Sequence, residues 1–149
     1  MNVEEIHDLP TFDGSQGLLA IIIRRQPVPV GTHFVTSPDQ PQQVAFIRRP
    51  AGSAIEPHIH HRVKRTINQT QEVLIVQRGK VRISFFTSGR EYVGERLLSA
   101  GDTAILVSGG HGMEFDAECE LIEVKQGPYC GAEDKVYFRE MPSGAISAV

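Results

Sequence analysis

Apolar and polar residues alternate along several short stretches of the chain, and this pattern predicts β-strands. The clearest example is residues 80–85, where Val81, Ile83 and Phe85 are separated by single polar residues. Successive side chains on a strand point to opposite faces, so an alternating stretch buries one face and exposes the other to solvent. The sequence therefore predicts a half-buried strand at this position.

Residues 18–23 predict a second kind of strand, because all six are apolar. A short run without alternation is typical of a strand whose two faces are both covered. Turn-forming residues separate the strand-like stretches at intervals of about 8–12 residues, and no stretch has a convincing helical period. About ten short strands of this kind predict an all-β fold, a double-sheet barrel of the jelly-roll type.

Length and composition narrow the class of protein. The 149 residues suffice for one domain, and we expect a single domain over 1–149, with an N-terminal arm over 1–16 and a C-terminal tail over 127–149. The net charge of −3 gives no electrostatic reason to expect nucleic acid as a partner. No apolar run approaches the roughly 18 residues of a membrane span, and the first residues do not resemble a signal peptide. We expect a soluble cytoplasmic protein without membrane contacts, with Cys119 and Cys130 as free thiols.

Candidate chemistry is concentrated in residues 52–79. His58 and His60 lie two residues apart, so on an extended strand both imidazoles project from one face. Glu72 begins the next apolar run, which places its carboxylate on a face otherwise taken by apolar side chains. An ionised carboxylate in such surroundings is costly unless a positive charge lies beside it. A metal ion held by the two histidines would be such a partner.

The same stretch resembles the cupin superfamily. The first half of the cupin pattern is a glycine, His-x-His, a glutamate and a second glycine, and its second half is a glycine-rich turn followed by a histidine. The matching residues are Gly52, His58, His60, Glu72, Gly79, Gly101, Gly109 and His111. Val107 stands where the family has proline, and His111 comes one residue early. The resemblance implies the double-stranded β-helix, or jelly-roll barrel, of cupins.

The resemblance also implies a metal site formed by His58, His60, Glu72 and His111. Three imidazoles and one carboxylate suit a divalent transition metal such as iron, manganese, nickel or zinc, with positions left for water or substrate. Two alternatives stay open. His61 could complete the site in place of His111, or the barrel could hold no metal, with its histidines hydrogen-bonded and Glu72 paired with an arginine.

We predict five substrate-binding residues near this site: Arg62, Lys64, Arg65, Phe85 and Met113. The three cations lie in the long insertion before the glutamate and would attract an anionic ligand such as a phosphate, a carboxylate or a nucleotide-sugar. The alternative interpretation of this insertion is a solvated hairpin. The two apolar residues would shape a pocket wall, although core packing explains them equally well.

The tail indicates a group within the cupins. Residues 125–129, Lys-Gln-Gly-Pro-Tyr, look like a motif of the small cupin metalloproteins found with surface-polysaccharide biosynthesis genes. The resemblance implies a sugar-like ligand and a metal that acts as a Lewis acid in isomerisation or epimerisation. An Fe(II)-dependent dioxygenase and a non-catalytic sugar- or metabolite-binding protein are the alternatives. Because cupins commonly dimerise through sheet edges, we also expect a homodimer, with residues 18–23 as a candidate contact.

Overall fold

The computed structural model describes residues 1–10 and 16–138, which form ten strands and one short 3-10 helix. Residues 11–15 of the predicted arm and 139–149 of the predicted tail lie outside the described residues. The prediction of an all-β fold is confirmed. The strands are β1 (Val3–His7), β2 (Leu18–Ile23), β3 (Gly31–Phe34), β4 (Ala45–Arg48), β5 (Glu72–Arg78), β6 (Lys80–Phe86), β7 (Tyr92–Ser99), β8 (Thr103–Leu106), β9 (Gly110–Glu114) and β10 (Glu120–Lys125); the 3-10 helix is Gly131–Asp134.

The described strands form three antiparallel sheets. A five-stranded sheet has the order β1–β2–β8–β5–β10, a three-stranded sheet has the order β7–β6–β9, and β3 pairs with β4 in a hairpin. Strand β1 belongs to the first sheet, so part of the expected N-terminal arm is regular structure. One buried cluster combines Ile22 and Leu74 from the five-stranded sheet with Ile83 and Phe85 from the three-stranded sheet. The two sheets therefore pack face to face, as in a β-sandwich, and the finer assignment to a cupin jelly roll stays a prediction.

Strand β2 is buried on both faces, as its uninterrupted apolar sequence predicts. Ala20 and Ile22 face the cluster between the two large sheets. Ile21 and Ile23 face a second cluster on the outer side of the five-stranded sheet, where the β3–β4 hairpin contributes Phe46. Because β2 lies between β1 and β8, its burial takes place within the chain. The expectation that β2 is available as a dimer contact is therefore wrong.

The bend between β7 and β8 is fixed by a buried carboxylate. Asp102 accepts hydrogen bonds from the backbone amides of Arg25 and Ser99, at 2.8 and 3.0 Å, and from the Arg24 guanidinium at 2.9 Å. Gly101 has a φ of 92°, which is strained for a residue with a side chain, and a Cβ there would lie 2.6 Å from Cδ of Arg25 and displace that side chain. The bend joins the start of β8 to the chain that follows β2.

Candidate functional site

Two residues from facing sheets meet at one end of the sandwich. Glu72 begins β5 and alternates with Leu74 and Val76, which belong to the cluster between the sheets. His111 lies on β9 directly opposite the buried Phe85 of β6. Directly paired residues on neighbouring strands share a face of the sheet. Both side chains therefore point into the space between the sheets, and the early position of His111 does not turn it outward.

The contact between these residues is close. Nε2 of His111 lies 3.2 Å from Oε2 of Glu72, and the two side chains are 31% and 13% exposed. Among the described residues, Glu72 pairs with the His111 imidazole and not with an arginine, as the metal-free alternative had supposed. The pair forms a polar patch at the edge of an otherwise apolar interior.

The carboxylate of Glu72 is held in its ionised form. The contact with His111 lowers the pKa of Glu72 and outweighs burial, which acts in the opposite direction; the positive charges of Lys125 and Lys135 lower it further. A carboxylate that is ionised and only partly hydrated is a strong ligand for a cation. The site therefore offers one anionic oxygen donor and one imidazole nitrogen donor.

The histidines of the His-x-His motif lie apart from this pair. The strand predicted through His58 and His60 is not formed: no strand occurs between Arg48 and Glu72, and residues 49–70 are exposed throughout. Pro50 interrupts backbone pairing near the start of this stretch, because proline has no amide hydrogen to donate. The two imidazoles still lie close to each other, with ring centroids 5.1 Å apart in an edge-to-face arrangement. Nδ1 of His58 donates a hydrogen bond to the backbone carbonyl of Glu56 at 2.9 Å.

The four predicted metal ligands thus form two separate pairs. The structure brings Glu72 to His111 and His58 to His60, but within residues 1–10 and 16–138 no group of three or more His, Cys, Asp or Glu side chains converges. His61 lies in the same exposed stretch as His58 and His60. The four-ligand site stays a prediction.

The predicted substrate residues fall into two different environments. Arg62, Lys64 and Arg65 are exposed and make no ion pair with any described residue. Phe85 is 1% exposed within the core, and Met113 packs against the same cluster. These positions agree with solvated cations and with core packing, the simpler of the interpretations offered by the sequence. Substrate binding by these residues stays a prediction.

Sequence reasoning missed Lys125, the cation that lies beside the pair. Lys125 ends β10 directly opposite Glu72 on β5. Its ammonium group lies 3.1 Å from the carboxylate of Asp134 in the 3-10 helix. The sequence signal was the lysine at the end of a predicted strand, but only the pairing register of β10 with β5 shows which residue it faces.

The chain that follows β10 passes from one member of the pair to the other. This segment begins after Lys125, which lies opposite Glu72, and its last described residue is Phe138. The Phe138 ring packs edge-to-face on Phe86, with centroids 5.2 Å apart, and lies against Gly110, the neighbour of His111. Residues 126–138 therefore border the end of the sandwich where the pair lies.

Comparisons with known protein families, with curated proteins and with solved structures find no match to this chain. The likeness to cupins accordingly depends on the motif residues themselves. Within the described part of the chain, no helix combines the length and apolar character needed to cross a bilayer.

Proposed function

We propose that this protein is a metal-binding cupin of small-molecule metabolism in which Glu72 and His111 provide the fixed part of a metal site. The observation that supports the proposal is the contact between these two side chains. They come from facing sheets, they are remote in sequence, and their donor atoms lie 3.2 Å apart. Imidazole and carboxylate together are ligands that iron, manganese, nickel and zinc accept.

The distance between the two donor atoms fits a shared ion. Imidazole nitrogen and carboxylate oxygen bind zinc at about 2.1 Å, so adjacent donors on one tetrahedral or octahedral ion are about 3.0–3.4 Å apart. The observed separation of 3.2 Å lies in this range. The residues present therefore fit a divalent transition metal without a large movement of either strand.

His58 and His60 would complete the site from the exposed stretch at residues 49–70. Between Ile55 and Val63 its residues alternate mostly between apolar and polar, which is the pattern of a strand, yet it pairs with no strand in the described structure. The two histidines occupy polar positions of this alternation. A strand formed here would present both imidazoles on one face.

Strand β9 offers this stretch a place to pair. It ends the three-stranded sheet, and the edge that does not face β6 is unpaired among the described strands. A strand added at that edge would lie about 4.8 Å from β9, which carries His111. We propose that His58 and His60 reach the site in this way.

The site would act on a small polar molecule of the sugar-related class. When bound, the metal supplies Lewis-acid polarisation of a carbonyl or hydroxyl oxygen during isomerisation or epimerisation. The chain itself contributes the ionised Glu72 and the nearby positive charges of Lys125 and Lys135, which favour an anionic or phosphorylated ligand.

Metal content tests the proposal. Protein purified without chelator is expected to contain about one transition-metal ion per chain by mass spectrometry, and Glu72→Gln or His111→Gln should lower this content at least tenfold, in line with loss of a ligand. His7 offers a matched control, because its imidazole contacts Glu5 at 3.0 Å on the exposed surface. His7→Gln should leave the metal content unchanged. Wild-type protein without metal, or full occupancy in His111→Gln, would contradict the proposal.

A metal-free binding protein is the second candidate function. It is favoured by one observation, that His111 and Glu72 already satisfy each other by direct contact. The same measurement separates the two candidates, because a binding protein of this kind would contain far less than one metal ion per chain and would be insensitive to chelators.

A further inference from the structure

A cavity of about 260 Å³ lies on the outer side of the five-stranded sheet, beneath the β3–β4 hairpin. Its floor includes Val73 and Ile75 of β5, and Val44 and Phe46 contribute to its roof. Val73 and Ile75 alternate with the inward-facing residues of β5, so this cavity and Glu72 lie on opposite faces of one strand. The cavity is therefore separate from the proposed metal site.

Arg25 places a positive charge at the border of this cavity. Its aliphatic stem packs on Gly101, and its backbone amide donates a hydrogen bond to the carboxylate of Asp102. Its guanidinium makes no hydrogen bond or ion pair within the described residues, whereas the neighbouring Arg24 is bonded to Asp102 and to the carbonyl of Leu97. Arg25 is thus a positioned cation whose charge is available to a ligand.

Thr103 adds a polar group to the apolar floor. Its neighbours Ala104 and Leu106 belong to the cluster between the sheets at alternate positions, so Thr103 faces the outer side with Ile105. Its hydroxyl has no hydrogen-bond partner among the described residues. The cavity therefore combines apolar walls with a few polar groups, from Thr103, Gln26, Arg24, which is paired with Asp102, and Arg25, the composition typical of small-molecule sites.

We propose that this cavity binds a small amphipathic carboxylate, with its apolar body between the hairpin and the sheet and its carboxylate on Arg25. A 150 Å³ apolar cavity accommodates benzene, so 260 Å³ accommodates a body of up to about ten carbon atoms. Guanidinium groups match carboxylates because they donate two parallel hydrogen bonds. An uncharged apolar molecule would leave the Arg25 charge unused, and a cation would be repelled by it.

Octanoate is a suitable probe, and calorimetric titration of the full chain in the presence of a chelator keeps the measurement independent of any metal. Saturable binding at one site per chain is expected. Arg25→Gln should weaken binding about tenfold, because it removes the charge-assisted hydrogen bonds. Val44→Phe should abolish binding, because the ring would fill the roof of the cavity. Lys80→Gln removes one exposed charge from the other sheet and serves as the matched control, with unchanged affinity expected.

Octylamine, which has the same apolar body and the opposite charge, should bind at least tenfold more weakly than octanoate. Thermal unfolding of each variant establishes that it is folded, and Arg25→Gln retains every hydrogen bond that Arg25 makes through its backbone. The proposal is overturned if octanoate binding does not saturate or if folded Arg25→Gln binds octanoate as tightly as the wild type. It is also overturned if the wild type binds octylamine as tightly as octanoate.

Discussion

The Arg24 guanidinium lies 2.9 Å from the carboxylate of Asp102, and this contact joins the end of β2 to the beginning of β8. The Asp102 side chain is only 10% exposed, and two backbone amides also donate to it. One carboxylate thus satisfies three donors from two distant parts of the chain. The bend depends on its negative charge.

Replacing this carboxylate is expected to destabilise the fold. Asp102→Asn keeps the size of the side chain but removes the charge, which weakens all three hydrogen bonds. Hydrogen bonds to charged groups contribute about 1.5–3 kcal/mol, and we expect a loss of about this size in the free energy of unfolding, measured by urea denaturation. Glu95→Gln, which removes an acidic partner of Arg82 that is 40% exposed, should cause a much smaller loss. Equal effects of the two substitutions would contradict this account.

The contribution of Asp102 should depend on pH with a defined sign. Burial tends to raise the pKa of Asp102, but the hydrogen bonds from Arg25, Ser99 and Arg24 outweigh it and hold the pKa below the ordinary value of 3.8. A carboxyl whose pKa is lower in the folded state stabilises the fold above its ordinary pKa and loses this effect as the pH falls through the folded value. The difference in unfolding free energy between wild type and Asp102→Asn should therefore be constant near neutral pH and shrink below pH 3.8. A difference that grows on acidification would refute the assignment.

Gly109 is expected to be sensitive to substitution because it has no room for a side chain. Its φ is +68°, and a Cβ would lie 2.3 Å from the backbone oxygen of Phe86 and 2.7 Å from Cδ2 of Leu19. Gly109→Ala should lower the free energy of unfolding by about 1–3 kcal/mol or more, because a positive φ is strained for alanine and the Phe86 backbone, paired within β6, cannot easily move away. Gly112→Ala is the matched control on the following strand, since nothing lies within 4 Å of its added Cβ. Comparable stability of both variants in chemical denaturation would show that the chain adjusts freely at Gly109.

Metal binding should change hydrogen exchange in the stretch that carries His58 and His60. If residues 55–63 pair with β9 when the site fills, their amides become hydrogen-bonded and exchange more slowly. We expect slower deuterium uptake in peptides covering 55–63 after zinc is added to chelator-treated protein, and no change in His111→Gln. Peptides from the β3–β4 hairpin provide an internal reference. Unchanged uptake at residues 55–63 with zinc bound would argue against the pairing with β9.

The sequence predicted the fold where local pattern and burial agree. Strand β6 is identified by the alternation at Val81, Ile83 and Phe85, and β2 by the apolar run at residues 18–23. The spacing of apolar residues indicates whether one or both faces of a strand are covered. The inward direction of Glu72 followed from the same rule. These features need no knowledge of which strands are neighbours.

Other features could not be predicted because they depend on pairing partners. The His-x-His stretch has the alternation of a strand, but a strand forms only where a neighbouring strand offers hydrogen bonds. Residues 49–70 have no neighbouring strand in the described structure. The position of Lys125 opposite Glu72 likewise depends on the register of two distant strands. The prediction that β2 is available for a dimer contact was wrong for the same reason, since the sheet topology places β2 between β1 and β8.

The exposed stretch between β4 and β5 also bears on how the chain would respond to a protease. Trypsin cleaves after basic residues, and Arg62, Lys64 and Arg65 lie together outside every sheet. A cut there would divide the molecule into a fragment with β1 to β4 and another with β5 to β10. Since β2 of the first fragment remains paired with β8 of the second, the nicked halves should stay associated and separate only on denaturation.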